Sequence, residues 1–187
     1  MNLIQLAVAI FDRAESCGVE HMAVGAIAAG TYGIPRATKD IDLLVSLDAM
    51  HGIQKLIPAL EDIIEFEAQA QFDTITWGRR HVGTSRAAPP FKVELFEMFD
   101  DPFVLSEFSR RERRFVPLLE REIWLPTAED IIVQKIRWGR PKDLDDARDV
   151  LAVQGPETLD MPYIENWCAT HGTSERLKDI IASLPEL

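Results

Sequence analysis

The stretch Val24-Gly-Ala-Ile-Ala-Ala-Gly-Thr-Tyr-Gly-Ile-Pro-Arg-Ala-Thr-Lys-Asp-Ile-Asp-Leu-Leu-Val45 sets a glycine-bearing turn ahead of an apolar run that carries two aspartates. Side chains alternate between the faces of a strand. Asp40 and Asp42 therefore project from one side, while Ile41, Leu43 and Val45 take the other. Two like charges held this close repel, and a divalent cation relieves the repulsion. Hard carboxylate oxygens of this kind suit Mg2+. Upstream, His21-Met-Ala-Val24 reads as a short strand that delivers the chain to Gly25, with a short helix from Ala26 to Tyr32. Such a strand-glycine-helix junction offers free backbone N–H groups, and the helix dipole makes it a favourable place for an anion.

Working outward, Gly33-Ile-Pro35 ends that helix and Arg36 to Lys39 form a polar connection. Before it, Leu3, Leu6, Ala7, Ile10, Phe11 and Ala14 recur at helical spacing and stop near Cys17-Gly18. After it, Asp48 is placed to cap a helix with Ile53, Leu56, Ile57 and Leu60 apolar. Phe72 to Trp77 alternates as a strand. Gly78 to Pro90, with Arg79, Arg80, His81 and Arg86, reads as a polar loop able to clamp phosphate or to lie solvated. Phe91 to Phe96 is a further strand with Glu94 at its middle, a carboxylate that burial penalises unless it is paired or ligates a metal, and that otherwise belongs at an exposed edge. Asp101-Pro102 starts a helix to about Arg111, and short strands follow at Arg114 to Leu118 and Glu122 to Leu125.

From Thr127 the pattern turns helical. Thr127-Ala-Glu-Asp130 caps a helix with Ile131, Ile132, Val133 and Ile136 apolar and Lys135 among them. Arg140-Pro-Lys-Asp143 leads into another, and two more helices, about 160–170 and 174–184, close the chain. The organisation is a core domain over 1–126 and a helical region over 127–187.

A chain of 187 residues with 47% hydrophobic and 27% charged content builds a sizeable core. It has no basic leader and no apolar run of the roughly 20 residues a membrane span needs, which points to the cytoplasm and away from membrane partners. The two cysteines lack metal-ligand spacing. A net charge of −11 argues against broad coating of nucleic acid. From Arg110 to Lys142, however, nine Lys/Arg face five acids, a local +4 that leaves −15 elsewhere. That strip faces a nucleotide or an RNA end, or is a solvated face with intrachain ion pairs.

A glycine turn, an Asp-x-Asp strand and a later strand carboxylate together resemble the minimal nucleotidyltransferase superfamily, related in fold to DNA polymerase β. Within it, Gly25 to Leu43 looks most like the AbiEii-type toxin nucleotidyltransferases, and Lys135 with Lys142-Asp-Leu-Asp-Asp146 resembles their helical Lys and later acidic element. The resemblance implies an α+β fold, a mixed β-sheet flanked by helices with a C-terminal helical region. It makes Asp40, Asp42 and Glu94 ligands of Mg2+, two ions in all, with Glu94 alternatively the general base of the acceptor. It makes Gly25 and Ala26 the triphosphate turn, with Arg36, Thr38, Lys39 and Lys135 also on the nucleotide and Asp146 an auxiliary acid. Ala26 stands where the family has Gly or Ser, and Glu94 where it has Asp. The implied reaction moves an NMP from an NTP such as ATP to an acceptor: a tRNA or other RNA end, a protein or a small molecule such as an aminoglycoside. An antitoxin protein is the implied partner. A non-catalytic member that binds nucleotide or a partner, and a purely structural protein with exposed aspartates, are the competing readings.

Overall fold

In the computed structural model of the chain, which describes residues 1–46, 52–75, 77–87 and 90–184, the elements run α1 (Leu3–Ser16), β1 (His21–Ala23), α2 (Gly25–Tyr32), β2 (Asp40–Val45), α3 (Gly52–Leu60), β3 (Ile64–Phe66), β4 (Gln71–Asp73), β5 (Gly78–Ser85), β6 (Lys92–Glu97), α4 (Pro102–Arg110), β7 (Glu112–Val116), β8 (Arg121–Leu125), α5 (Ala128–Trp138), α6 (Pro141–Gln154), α7 (Met161–Thr170) and α8 (Ser174–Ala182). Several boundaries follow from local chemistry. Asn2 and Gln5 form a reciprocal capping box on α1, Asp101 caps α4 with Pro102 behind it, and the Thr127 hydroxyl oxygen accepts from the Asp130 N–H to start α5.

The chain divides into two compact units, one of Met1–Gly25 with Ala37–Leu125 and one of Ala26–Arg36 with Pro126–Leu187. The first holds a mixed sheet in the order β1-β2-β6-β5-β3, with β4 also paired to β5. Strands β2 and β6 are parallel, and the other pairs are antiparallel. On one face Ile41, Leu43, Val45, Val93 and Leu95 are buried. Helix α1 packs on α3, and Phe11 of α1 stacks on His21, the register partner of Val45, at 6.1 Å. On the other face Met22, Val24 and Leu44 cluster with Val104 and Phe108 of α4, flanked by Phe96, Met98, Phe99 and Trp124. That apolar lid covers the end of the face where β2 finishes. The end where β2 begins is left to Asp40, Asp42 and Glu94.

Three readings of the sequence need correction. Gly78 to Ser85 is not a loop but strand β5, paired along β6 from Arg80↔Phe96 to Thr84↔Lys92. Its glycines and arginines imitate loop composition, yet Gly83 is there for a close approach: a Cβ would lie 2.5 Å from Ile64 Cγ2 and 2.9 Å from the Phe66 ring. The strand expected over 72–77 ends at Asp73, because Trp77 adopts a left-handed φ of 58° and turns the chain. Ile64–Phe66, too short to show a period, is a strand at the sheet's edge. The strand expected from Arg114 begins at Glu112 and gives way at Pro117 to a 3-10 turn. The expected Asp48 cap lies outside the described residues.

Much of the basic strip is tied up within the first unit. Arg113 and Arg121 reach Glu15 at 3.2 and 3.3 Å, Arg121 also meets Asp12, Arg111 reaches Glu20 at 3.3 Å and Arg114 reaches Glu112 at 2.7 Å.

The second unit is helical. Helix α5 packs on α6 and α7, and α8 packs on both of the latter, burying Ile132, Val133, Ile136, Val150, Leu151 and Ile164. Its early segment is tied in by polar bonds: the Tyr32 hydroxyl donates to the Pro126 carbonyl at 2.9 Å, and the Gln154 amide donates to the Tyr32 carbonyl at 2.6 Å. Among the described residues no helix is long and apolar enough to cross a membrane.

Candidate active site

Asp40 and Asp42 are half-buried on one face of β2. Beside them, β1 has just ended: Ala23 pairs with Leu43, and the Val24 N–H donates to the Asp42 carbonyl at 2.9 Å. This bond holds the following residue, Gly25, against the Asp42 side chain. Gly25 has φ +66°, and a Cβ on it would lie 2.1 Å from Asp42 Oδ2. Only glycine satisfies both the left-handed backbone and the close approach. Ahead of the strand, the Thr38 hydroxyl accepts from the Asp40 N–H at 3.1 Å and donates to the Asp40 carbonyl at 3.3 Å, a local turn that sets where β2 begins. The Lys39 carbonyl accepts from the Lys92 N–H at 2.9 Å.

Glu94 is the register partner of Asp42 across the parallel β2–β6 pair, and Lys92 is the partner of Asp40. All four side chains therefore belong to the same face. Glu94 is buried on a strand paired on both sides, so it is not an edge residue. Its carboxylate is neutralised twice, by Arg80 Nη1 at 2.8 Å and Lys92 Nζ at 3.0 Å. Arg80 is itself shared with Asp73 at 2.9 Å. Among the described residues no three His, Cys, Asp or Glu side chains are grouped as a metal cluster. The donor chemistry fits a divalent ion at Asp40 and Asp42, two hard carboxylates on one face, with the missing Cβ of Gly25 leaving room for the Asp42 carboxylate itself.

The remaining expected residues meet in the second unit. Lys135 is 2% exposed and lies 2.7 Å from Asp146 Oδ2 and 3.2 Å from Asp143 Oδ1, both carboxylates being buried. Arg36 clasps Asp146 with two nitrogens, at 2.8 and 3.3 Å, and Arg140 Nη2 reaches Asp143 at 3.1 Å. Burial pushes the Asp146 carboxyl up, but hydrogen bonds from Arg36 and Lys135 and the charges of both outweigh it, so the group is held below the usual carboxylate range. Lys135 and Arg140 also approach the Trp138 ring, each 5.5 Å from its centre. The structure thus brings Gly25, Thr38, Lys39, Asp40, Asp42 and Glu94 together in one unit, and Arg36, Lys135 and Asp146 together in the other.

No protein-family model and no curated protein matches the chain. Solved structures do. The antibiotic-resistance factor ANT(2'')-Ia in solution aligns over 94% of both chains at 11% identity and TM-score 0.60. ANT(2'')-Ia in a crystal with adenylyl-2''-tobramycin aligns over 92% of this chain and 98% of that one, at 14% identity and TM-score 0.61. An antigenic nucleotidyltransferase-like protein from Paracoccidioides brasiliensis aligns over 98% of this chain and 93% of that one, at 18% identity and TM-score 0.53. The chain has the nucleotidyltransferase fold.

On the nucleotidyltransferase fold of this chain, four charged residues have ion-pair roles that the sequence did not assign to them. Lys92 and Arg80 neutralise Glu94, and Asp143 and Arg140 complete the Lys135 cluster. Lys92 was legible, being two residues from Glu94 and hence on its face. Arg80 was hidden in the stretch read as a loop. Asp143 was masked by the charge density of α6.

Proposed function

We propose that this protein is a Mg2+-dependent nucleotidyltransferase that moves an NMP from an NTP to an acceptor hydroxyl, releasing pyrophosphate. The observation that carries the reading is the Gly25 turn pressed against Asp42 on a strand that also presents Asp40, on a nucleotidyltransferase fold. In this reading Asp40 and Asp42 hold the metal, two ions in all, and Glu94 carries the third carboxylate. Bound there, Mg2+ supplies charge neutralisation for the phosphoryl oxygens. Gly25 and the N–H groups that open α2, including that of Ala26, take the triphosphate, with Lys39 nearby in sequence. The Thr38 hydroxyl fixes the backbone of Asp40. Lys135 and Asp146 serve by position: the Lys135 ammonium is buried and twice paired, and through Asp146 it anchors Arg36, four residues ahead of Asp40. Residues 1–126 are the transferase core and 127–187 a C-terminal helical region.

The finer reading is an AbiEii-type toxin of the cytoplasm with an antitoxin partner, supported by the Gly25 to Leu43 pattern. For the acceptor, a small molecule gains support from ANT(2'')-Ia, solved with adenylyl-2''-tobramycin. RNA loses support, because much of the basic strip is committed to acids within the chain. A nucleotide- or partner-binding member without turnover is the second reading, favoured by Ala26 and by the two cations on Glu94. The test is transfer of label from each α-labelled NTP with Mg2+ to RNA, protein and aminoglycoside acceptors, comparing wild type with Asp40→Asn. Label transfer by wild type alone supports the enzyme. Equal transfer, or none, with NTP binding retained, supports the second reading.

A further inference from the structure

Resting on the transferase reading, we infer that Lys92 is a nucleotide-phosphate ligand held in reserve by Glu94, released when Glu94 turns to the metal. Lys92 opens β6 beside Asp40, on the face that carries Asp40, Asp42 and Glu94. Its side chain is 43% exposed, so its ammonium is within reach of a ligand arriving from solvent. Its ion pair is with Glu94 Oε1, at 3.0 Å, the same oxygen that Arg80 Nη1 reaches at 2.8 Å.

The two cations on Glu94 differ in kind. Arg80 is 24% exposed, is shared with Asp73 and also reaches Gln71 Oε1 at 3.4 Å, so it stays when Glu94 moves. Lys92 has neither constraint, and a half-exposed ion pair on a flexible stem is weak. A divalent ion held by Asp40 and Asp42 would compete for the Glu94 oxygen that Lys92 and Arg80 share. Oε1 already carries Arg80 and Lys92, so a divalent ion drawn to it would add a third positive group, and the least tethered of the three, the Lys92 ammonium, is the one displaced. Expelled, it is a mobile positive charge next to Asp40, where a triphosphate bound to the metal places negative charge. An ammonium on a four-carbon stem is suited to that exchange, since it contacts phosphate as a point charge.

The exchange gives Lys92→Met a signature with two opposite signs. Without nucleotide the variant binds Mn2+ more tightly than wild type, because the ion no longer competes with Lys92 for Glu94. With Mn2+ saturating, it binds the α,β-methylene analogues of ATP, CTP, GTP and UTP more weakly, by about tenfold or more for the preferred base, the scale of one charge-assisted hydrogen bond. Lys92→Arg keeps the charge and recovers most nucleotide affinity, and thermal melts of both variants verify folding. Calorimetric titration reads all of these without turnover. If wild type binds Mn2+ and an analogue while Lys92→Met changes neither affinity, or weakens both, this inference falls and the transferase reading stands. If wild type binds neither Mn2+ nor any analogue, both fall.

Discussion

Replacing Lys135 with Met tests whether this buried lysine is a structural member or a phosphate contact. Met matches the stem in length and removes only the charge, from a position 2% exposed with carboxylates at 2.7 and 3.2 Å. Removing one partner of a buried ion pair costs about 3–5 kcal/mol, because the other charge is left uncompensated. Here each carboxylate keeps an arginine, Arg36 on Asp146 and Arg140 on Asp143, both more than a third exposed on their side chains. The surviving partners put the loss at the low end, about 3 kcal/mol. At roughly 2–4 °C per kcal/mol for a domain of this size, the melting midpoint falls by about 6–12 °C. Circular dichroism measures the melt, and hydrogen exchange locates the lost protection in α5 and α6. Lys135→Met/Asp143→Asn, which removes one unbalanced carboxylate, recovers part of the loss. A Lys135→Met protein that melts within 1 °C of wild type yet binds NTP analogues tenfold more weakly refutes this reasoning and restores Lys135 to the nucleotide.

Other predictions follow from the first unit. Asp40→Asn lowers the rate of label transfer at least about 100-fold, since a metal site supplies several kcal/mol to the transition state and each 1.4 kcal/mol is a decade; a loss under fivefold sinks the assignment. Gly25→Ala destabilises by at least about 2 kcal/mol, from the left-handed φ together with the collision at Asp42 Oδ2, and weakens Mn2+ binding; a wild-type melt contradicts the turn described above. His21 is buried against Phe11 and donates its Nδ1–H to the Val19 carbonyl at 2.8 Å. Burial pulls its pKa below the ordinary value, and this outweighs the opposing help of the Val19 carbonyl and Glu15. Below about pH 6.5 the unfolded chain takes up a proton that the folded chain refuses. Stability is thus intact above that pH and declines as pH falls toward the folded pKa, and His21→Phe flattens this part of the urea-midpoint profile. An equal slope in both proteins rules the histidine out.

The sequence made the fold legible where period and caps agree. Asp-Ile-Asp-Leu-Leu-Val is a strand whose Asp-Ile-Asp-Leu alternation matches one buried face and one open face, the open face closing over at Leu44, and Thr127 and Asp101 start helices because their oxygens meet orphan N–H groups. It misled where tertiary contact overrides composition. Gly83 looks like a loop residue, but it is a strand residue emptied of side chain so that Ile64 and Phe66 can cross it. The face shared by Asp40 and Asp42 followed from period two, whereas Glu94 joins them only through the β2–β6 register. The cations on Glu94 did not, because Arg80 arrives by a register that only the folded sheet sets.

Residues 26–36 belong to a unit whose other part begins at Pro126, and this has a consequence for synthesis. Arg36 and Asp146 are separated by 110 residues, so at about 5–20 residues per second the ribosome delivers the partner roughly 5–20 s later. Over that interval the nearly all-apolar α2, with Ala26, Ile27, Ala28 and Ala29 destined for burial, has no helical bundle to enter. A nascent chain arrested before Pro126 keeps this segment exposed, a natural grip for a chaperone or a protease.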